Sequence, residues 1–396
     1  MKQPIIDNRT TKPAVAHVVK DYLGISETFI YNVIAHIRNY DCAVFTDRTQ
    51  NLEQFPVSRI YCASSARKYS WQWLVNYLDY LLSDRAAYFE QRVYFRKLMK
   101  QNHVKLIHAH FAPQGVQMLF CRQALNIPLV TSFYGYDMSR LPRDQQWCDR
   151  LKQLFQYGDL FLVEGPHMQK GLEGLGCAAH KIRLQPIGLD LKQYKFNPRT
   201  APKTDSPTRI LFCGRFVEKK GLQYGLQAVQ AVIDEFPDVE FRVIGDGEQK
   251  SNLDRFVRKN GLKERVTFLG YQPHAEVLAE MQQAHLLLQP SVTAADGDSE
   301  GGAPTVLLEA QALGLPVLST RHADIPNVVQ DGKSGILVPE RDARALANAL
   351  KSLLGNPNSW TAMGHAGREY VERFHNLEPL TQKLESYYSQ LLHAET

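Results

Sequence analysis

The second half of this chain alternates short apolar runs with amphipathic stretches in unbroken succession, and few folds can use such a pattern. Arg209–Cys213, Glu240–Ile244, Val266–Leu269, His285–Gln289, Pro316–Ser319 and Gly335–Val338 have the length and apolar density of buried strands. Between them, apolar residues recur at helical spacing over Leu222–Phe236, Gln249–Asn260, Ala275–Gln283, Pro304–Leu313 and Arg341–Leu354. Strand and helix in turn predict a parallel sheet covered on both faces, a doubly wound α/β layer. The first half repeats the scheme less regularly, with strands expected at Pro13–Val19, Cys42–Thr46, Val104–His110, Pro128–Phe133 and Leu160–Val163. Ser26 is placed to cap a helix over Glu27–Asn39, with Glu27 in its first turn.

An aperiodic stretch rich in Pro, Lys and Ser, Leu191–Pro207, reads as a linker. The chain then divides into residues 1–190, a linker 191–207, a second unit 208–372 and a terminal helix 373–396 that adds no strand and must pack on something already built. A length of 396 residues suits two such cores, and 44% hydrophobic with 22% charged residues excludes a disordered chain. The net charge of +5 is too small for a dedicated nucleic-acid binder, so no nucleic acid is expected as partner. Residues 66–105 nevertheless carry eight Lys or Arg against three acids, interleaved with aromatics such as Trp71, Trp73, Tyr94 and Phe95. That composition suits a helix resting on anionic lipid, although the same aromatics could equally face their own core.

Six cysteines lie far apart with no CxxC pair, so they read as buried thiols in a reducing compartment, and no metal set is expected. A polar N-terminus and the lack of an 18-residue apolar run predict a cytoplasmic protein, at most peripheral on the inner face of the cytoplasmic membrane.

In an open parallel sheet, ligands sit beyond the carboxyl ends of the strands. After Arg209–Cys213 comes Gly214-Arg-Phe-Val-Glu-Lys-Lys-Gly221, where a glycine allows close approach and Arg215 and Lys220 bring two cations to the sheet mouth. These could clamp a diphosphate, or simply be solvated loop charges. After His285–Gln289, Gly301, Gly302 and Pro304 form a glycine-rich entry to a helix whose N-terminus attracts an anion. Glu309 stands among Val306, Leu307, Leu308 and Ala310 in that helix; ribose hydroxyls would satisfy it there, unless it is an exposed carboxylate.

These segments, with Ile244-Gly-Asp-Gly247, Ser299-Glu-Gly-Gly-Ala-Pro-Thr-Val-Leu-Leu-Glu-Ala310 and Gly314-Leu-Pro-Val-Leu-Ser319, resemble retaining glycosyltransferases of family 4. In the first half, Ser26-Glu-Thr-Phe29, Ile107-His-Ala-His-Phe111 and Ser132-Phe-Tyr-Gly-Tyr-Asp137 look like members that build bacterial exopolysaccharide and lipid-linked saccharides. The resemblance implies a GT-B fold, two Rossmann-like doubly wound domains facing a central cleft. It implies an acceptor-binding N-terminal domain and a C-terminal domain that binds a nucleotide-sugar, UDP- or GDP-linked, with the last helix returning to the first domain. Arg215 and Lys220 would bind the diphosphate, Glu309 the ribose and Glu300 the donor sugar; Gly214, Gly301, Gly302 and Thr305 complete the donor set. Tyr134 stands where the family commonly has histidine, with His110 a candidate close by. No cofactor or metal is implied, because cations and helix dipoles stabilise the leaving group.

Glu300 and Glu309 are one residue further apart than in the family pattern, so the Gly301-Gly302-Ala303 turn carries an extra residue. Two further motifs compete. Gly297-Asp-Ser-Glu-Gly301 matches G-x-S-x-G and would make Ser299 a hydrolase nucleophile, but several polar residues separate it from the preceding strand. Gly245-Asp-Gly247 begins like a dinucleotide fingerprint, yet position 250 is Lys, not Gly. A noncatalytic nucleotide-sugar-binding protein is the remaining alternative.

Overall fold

The computed structural model describes residues 12–24, 27–63, 89–203 and 206–394. Among them are two all-parallel sheets. The first contains β1 (Ala14–Tyr22), β2 (Asp41–Thr49), β3 (Ile60–Cys62), β4 (Val104–His110), β5 (Leu129–Ser132), β6 (Leu160–Val163) and β7 (Ile182–Leu184), in the order β3-β2-β1-β4-β5-β6-β7. The second contains β8 (Thr208–Cys213), β9 (Val239–Ile244), β10 (Val266–Gly270), β11 (Leu286–Gln289), β12 (Val317–Thr320) and β13 (Gly335–Val338), in the order β10-β9-β8-β11-β12-β13. Helices lie on both faces, and the central strands are buried on both sides, as a parallel sheet requires, while the edge strands β3, β7 and β10 are partly exposed. The order reverses between β1 and β4 and again between β8 and β11, which opens a crevice at the carboxyl edge of each sheet.

Several expectations are corrected. The first helix begins at Thr28 and ends at His36; Glu27 precedes it, and its carboxylate faces the Gly24 N–H at 3.4 Å instead of lying in the first turn. Ser26 lies outside the described residues. The helix starting at Leu222 stops at Gln230, beyond which Val232 is buried in a run of turns. The terminal helix is shorter than expected, Leu377–His393: the preceding helix Asn358–Phe374 runs up to it, and Asn376 caps the new one by accepting from the Glu378 N–H. All six cysteines are free, but only Cys121 and Cys177 are fully buried.

Helix Leu377–His393 covers one face of the first sheet. Leu384 and Tyr388 pack on Val15, Leu106, Val130 and Leu162, and a buried side chain of leucine size contributes about 1.5–3 kcal/mol. Glu385 fixes the register by accepting hydrogen bonds from the Arg38 and Asn39 backbone N–H groups, both at 2.7 Å. The chain thus passes between the sheets twice, and the two passages are bonded to each other. Leu189 N–H donates to the His375 carbonyl at 2.8 Å, and Leu377 N–H donates to the Leu189 carbonyl at 3.0 Å. The stretch after Leu191 is pinned as well: the buried Arg199 guanidinium donates to the Ala284 and Met281 carbonyls.

Most of the basic stretch 66–105 lies outside the described residues. Within its helix, Phe89–Gln101, Phe95 and Met99 are buried in the first core, and Tyr94 packs against it. No helix among the described residues is long and apolar enough to cross a membrane.

Candidate functional site

The loops after β8 and β11 leave the second sheet at its switch point and meet each other. Gly221 closes the first loop in a left-handed turn (φ +64°), and a Cβ there would overlap the Pro290 carbonyl oxygen. This contact brings Lys220 against the second loop. Its ammonium lies 2.9 Å from the Glu300 carboxylate, whose other oxygen accepts from the Ser291 hydroxyl at 2.8 Å. Burial acts to raise the Glu300 carboxyl, but Lys220 and Lys219 outweigh it and hold the group below the usual glutamate range. Gly214 packs beside the Lys220 stem. Arg215 is exposed at the rim, near enough to Glu27 on the first half to favour its charged form. Gly214, Lys220, Glu300, Gly301 and Gly302 therefore share one locality, and Arg215, next to Gly214 in the chain, faces solvent beside it.

Thr305 and Glu309 open on a neighbouring hollow of about 380 Å³ between the halves, lined by Tyr271, Pro273 and His274 on one side and Phe29 and Tyr31 on the other. Glu309 is buried, and one of its oxygens accepts from the Tyr194 hydroxyl at 3.2 Å and pairs with His274 Nε2 at 2.8 Å. The hydrogen bond to Glu309 raises the His274 pKa.

Across the cleft, Asp137 accepts hydrogen bonds from the Ala112, Tyr134 and Gly135 N–H groups and so shapes the turn after β5. Burial pushes its carboxyl up to about 6 against those bonds. The turn presents Tyr134, whose hydroxyl lies 2.8 Å from His110 Nδ1, while His110 Nε2 lies 3.1 Å from His17 Nδ1. His108 stacks on His110 with ring centroids 4.4 Å apart and bonds to Ser132 and Tyr388. Burial holds all three imidazoles in the neutral form, His17 down to about 3. They are the one group of three metal-ligand side chains brought together among the described residues. Both nitrogens of His108 and of His110 already have hydrogen-bond partners, so the set acts as a bonded stack behind Tyr134.

The halves touch at the Gly301–Gly302 turn. A Cβ on Gly301 would overlap Gly135, and one on Gly302 would overlap the Glu164 carboxyl. Asp324, after β12, caps helix Pro166–Gly174 of the other half by accepting from the His167 N–H at 2.8 Å and the Met168 N–H at 3.2 Å. Ser299 sits in this turn with its hydroxyl accepting the Gly301 N–H at 3.2 Å, and residues 290–298 separate it from β11. That is not the strand-to-helix elbow a nucleophilic serine needs. Ser299→Ala is expected to keep turnover within about tenfold of the parent, the worth of one neutral hydrogen bond; loss of all turnover would contradict this.

Sequence reasoning missed Lys219, which binds Asp298 at 3.1 Å and the Ser299 carbonyl at 3.0 Å, along with His274, Tyr194 and Glu164. The Lys219-Lys220 pair was visible, but nothing local says which lysine faces which carboxylate.

The same architecture recurs in solved structures. HepE from Anabaena, in complex with UDP-glucose, superposes with a TM-score of 0.77 at 17% identity, over 95% of this chain and 99% of that one. Sucrose-phosphate synthase from Thermosynechococcus elongatus gives 0.74 at 21% identity, over 97% and 100%. Two doubly wound α/β halves with their carboxyl edges at a common cleft define the GT-B class. The profile of "Glycosyltransferase Family 4" matches residues 26–193 and that of "Glycosyl transferases group 1" matches residues 194–370. WcaL of Escherichia coli (strain K12), named for colanic acid biosynthesis, is 34% identical over 281 residues, 70% of this chain and 68% of that one. AmsK of Erwinia amylovora, an amylovoran biosynthesis glycosyltransferase, is 34% identical over 248 residues, 63% and 60% of the two chains. The chain belongs to this glycosyltransferase family.

Proposed function

We propose that the protein transfers a sugar from a nucleotide-sugar, UDP- or GDP-linked, to a saccharide or lipid-linked saccharide acceptor, with retention of anomeric configuration. The reaction would serve exopolysaccharide or glycolipid assembly, on the cytoplasmic side of the membrane. The observation that carries this reading is the joint Lys220–Glu300 and Gly301–Gly302 locality, with Arg215 exposed beside it and Glu309 in the adjoining hollow. A donor lying along it would put its ribose on Glu309, its diphosphate between Arg215, Lys220 and the helix N-terminus, and its sugar against Glu300.

The chemistry follows from charge. As the bond from the anomeric carbon to the diphosphate oxygen breaks, negative charge grows on that oxygen, and Arg215, Lys220 and the positive end of helix Thr305–Ala312 stabilise it. These groups supply the neutralisation without a resident metal. An acceptor hydroxyl attacks the same face, gives its proton to the leaving diphosphate oxygen, and so preserves the configuration. Tyr134, backed by the neutral His110, orients acceptor or sugar through its hydroxyl; burial raises its pKa, so it remains an O–H throughout. The exposed part of the basic stretch 66–105 would rest on anionic lipid and bring a lipid-linked acceptor to the cleft.

The test is incubation with UDP-, GDP- and ADP-sugars and a membrane extract as acceptor source, with the product's anomeric linkage read by NMR. Nucleotide released only with acceptor, and a product of the donor's configuration, supports the reading; an inverted product or no transfer with any donor overturns it. Glu309→Ala is expected to raise the donor KM by roughly 10–100-fold with a smaller change in kcat, since it removes hydrogen bonds to a charged group. Steady-state kinetics checks this.

A further inference from the structure

We propose that Glu164 is a positioning residue of the transfer reaction: from the N-terminal half it holds the Gly302–Ala303 segment of the donor turn, so that the donor site is complete only when the two halves meet. The role of that turn rests on the reading above.

Glu164 follows β6 directly, at the carboxyl edge of the first sheet. Its carboxyl fills the space that a side chain on residue 302 would occupy, and the Ala303 amide lies against it. Ala303 immediately precedes the Pro304 entry to helix Thr305–Ala312. The peptide that Glu164 braces is therefore part of the helix N-terminus proposed to face the diphosphate. Gly135 against Gly301 and Asp324 on helix Pro166–Gly174 flank the contact, so closing the cleft seats all three together.

The contact is made between acids. Asp324, Asp137 and Glu300 face Glu164 from three different loops, and Tyr134 and His108 border it on the cleft side. Behind it, a hollow of about 390 Å³ is bordered by the cations Arg373 and Lys383 and by His375 and Tyr370. Lys383 is engaged with the Leu184 carbonyl at 3.0 Å, and Arg373 lies over the Phe374 ring. Burial first, and then the neighbouring acids, push the Glu164 carboxyl from the usual 4.5 up to about 8, although the Ala303 amide favours the charged form. In an open cleft, with the carboxyl in water, the ordinary value returns. Closing then takes up a proton, so it is easiest in acid. It becomes about tenfold less favourable per pH unit from about 4.5 to about 8, and level above that.

The experiment compares the full-length protein with Glu164→Gln, which keeps the carbonyl acceptor and cannot ionise. Small-angle X-ray scattering without ligand and calorimetric affinity for UDP are measured from pH 5 to 9. The parent is expected to expand and to lose UDP affinity as pH rises to about 8, while Glu164→Gln remains compact and its affinity falls less steeply over the same range. Gly302→Ala, which crowds the carboxyl out, is expected to be expanded at every pH, and it carries the test should the glutamine variant fail to fold. Identical pH profiles for the parent and Glu164→Gln, or a Gly302→Ala protein as compact as the parent, overturn the proposal. If neither UDP nor GDP binds at any pH, the donor reading fails, and the scattering comparison alone decides the role of Glu164.

Discussion

Removing both Arg215 and Lys220, as Arg215→Ala with Lys220→Ala, is expected to lower transfer by at least about 10³-fold, because one preorganised charge-stabilising donor is commonly worth 10²–10³ in rate. Lys220 needs a control. Its ammonium neutralises Glu300, whose side chain is only 7% exposed, and deleting one member of a buried ion pair can cost about 3–5 kcal/mol of stability. Lys219 stands near enough to recover part of this, since it also lowers the Glu300 pKa. Adding Glu300→Gln to Lys220→Ala removes the orphaned charge and is expected to restore the melting temperature without restoring transfer. Nucleotide release and thermal melting measured on the same preparations separate the effects. Normal turnover by a well-folded double variant would sink the diphosphate assignment.

The second large effect is conformational. Gly221→Ala is expected to destabilise the protein by about 3 kcal/mol or more and to abolish donor binding. A left-handed alanine alone costs about 1–2 kcal/mol, but here its methyl would also overlap the Pro290 carbonyl and force the two donor loops apart. Gly332 is the control. It has a similar φ of +74° with nothing within 4 Å, so Gly332→Ala is expected to cost only the backbone term and leave donor binding intact. Denaturant unfolding of the two variants measures the difference, and equal losses would mean that the loops tolerate separation.

What the amino-acid order reveals depends on how local the cause is. Strands β4 and β6 were legible to the residue because each is an apolar run ended by polar or turn-forming residues. Strands β3 and β7 were not; each is three residues at a sheet edge, too short for any periodicity. Helix Leu222–Gln230 was read too long because Val232 remains buried after the helical bonds stop. The cations and glycines after β8 and β11 were legible because strand ends are where such sheets hold ligands. Glu164, Tyr194 and His274 are chemically ordinary in their own segments. Their roles come from partners far away in the chain, as Tyr194 and Glu309 illustrate, 115 positions apart. His17 likewise joins its histidine neighbours only because β1 and β4 are paired.

The paired passages at Leu189 and His375–Leu377 set how the molecule can move. A single tether would let one half swivel and tilt freely over the other. Two strands of backbone lying side by side and bonded to each other behave like the leaf of a book spine: bending about the line across them is easy, while twist and sideways slip would tear the bonds. Opening and shutting should therefore retrace one arc, so that each closure returns the Gly301 turn to the same seat on Gly135 without a search through other orientations.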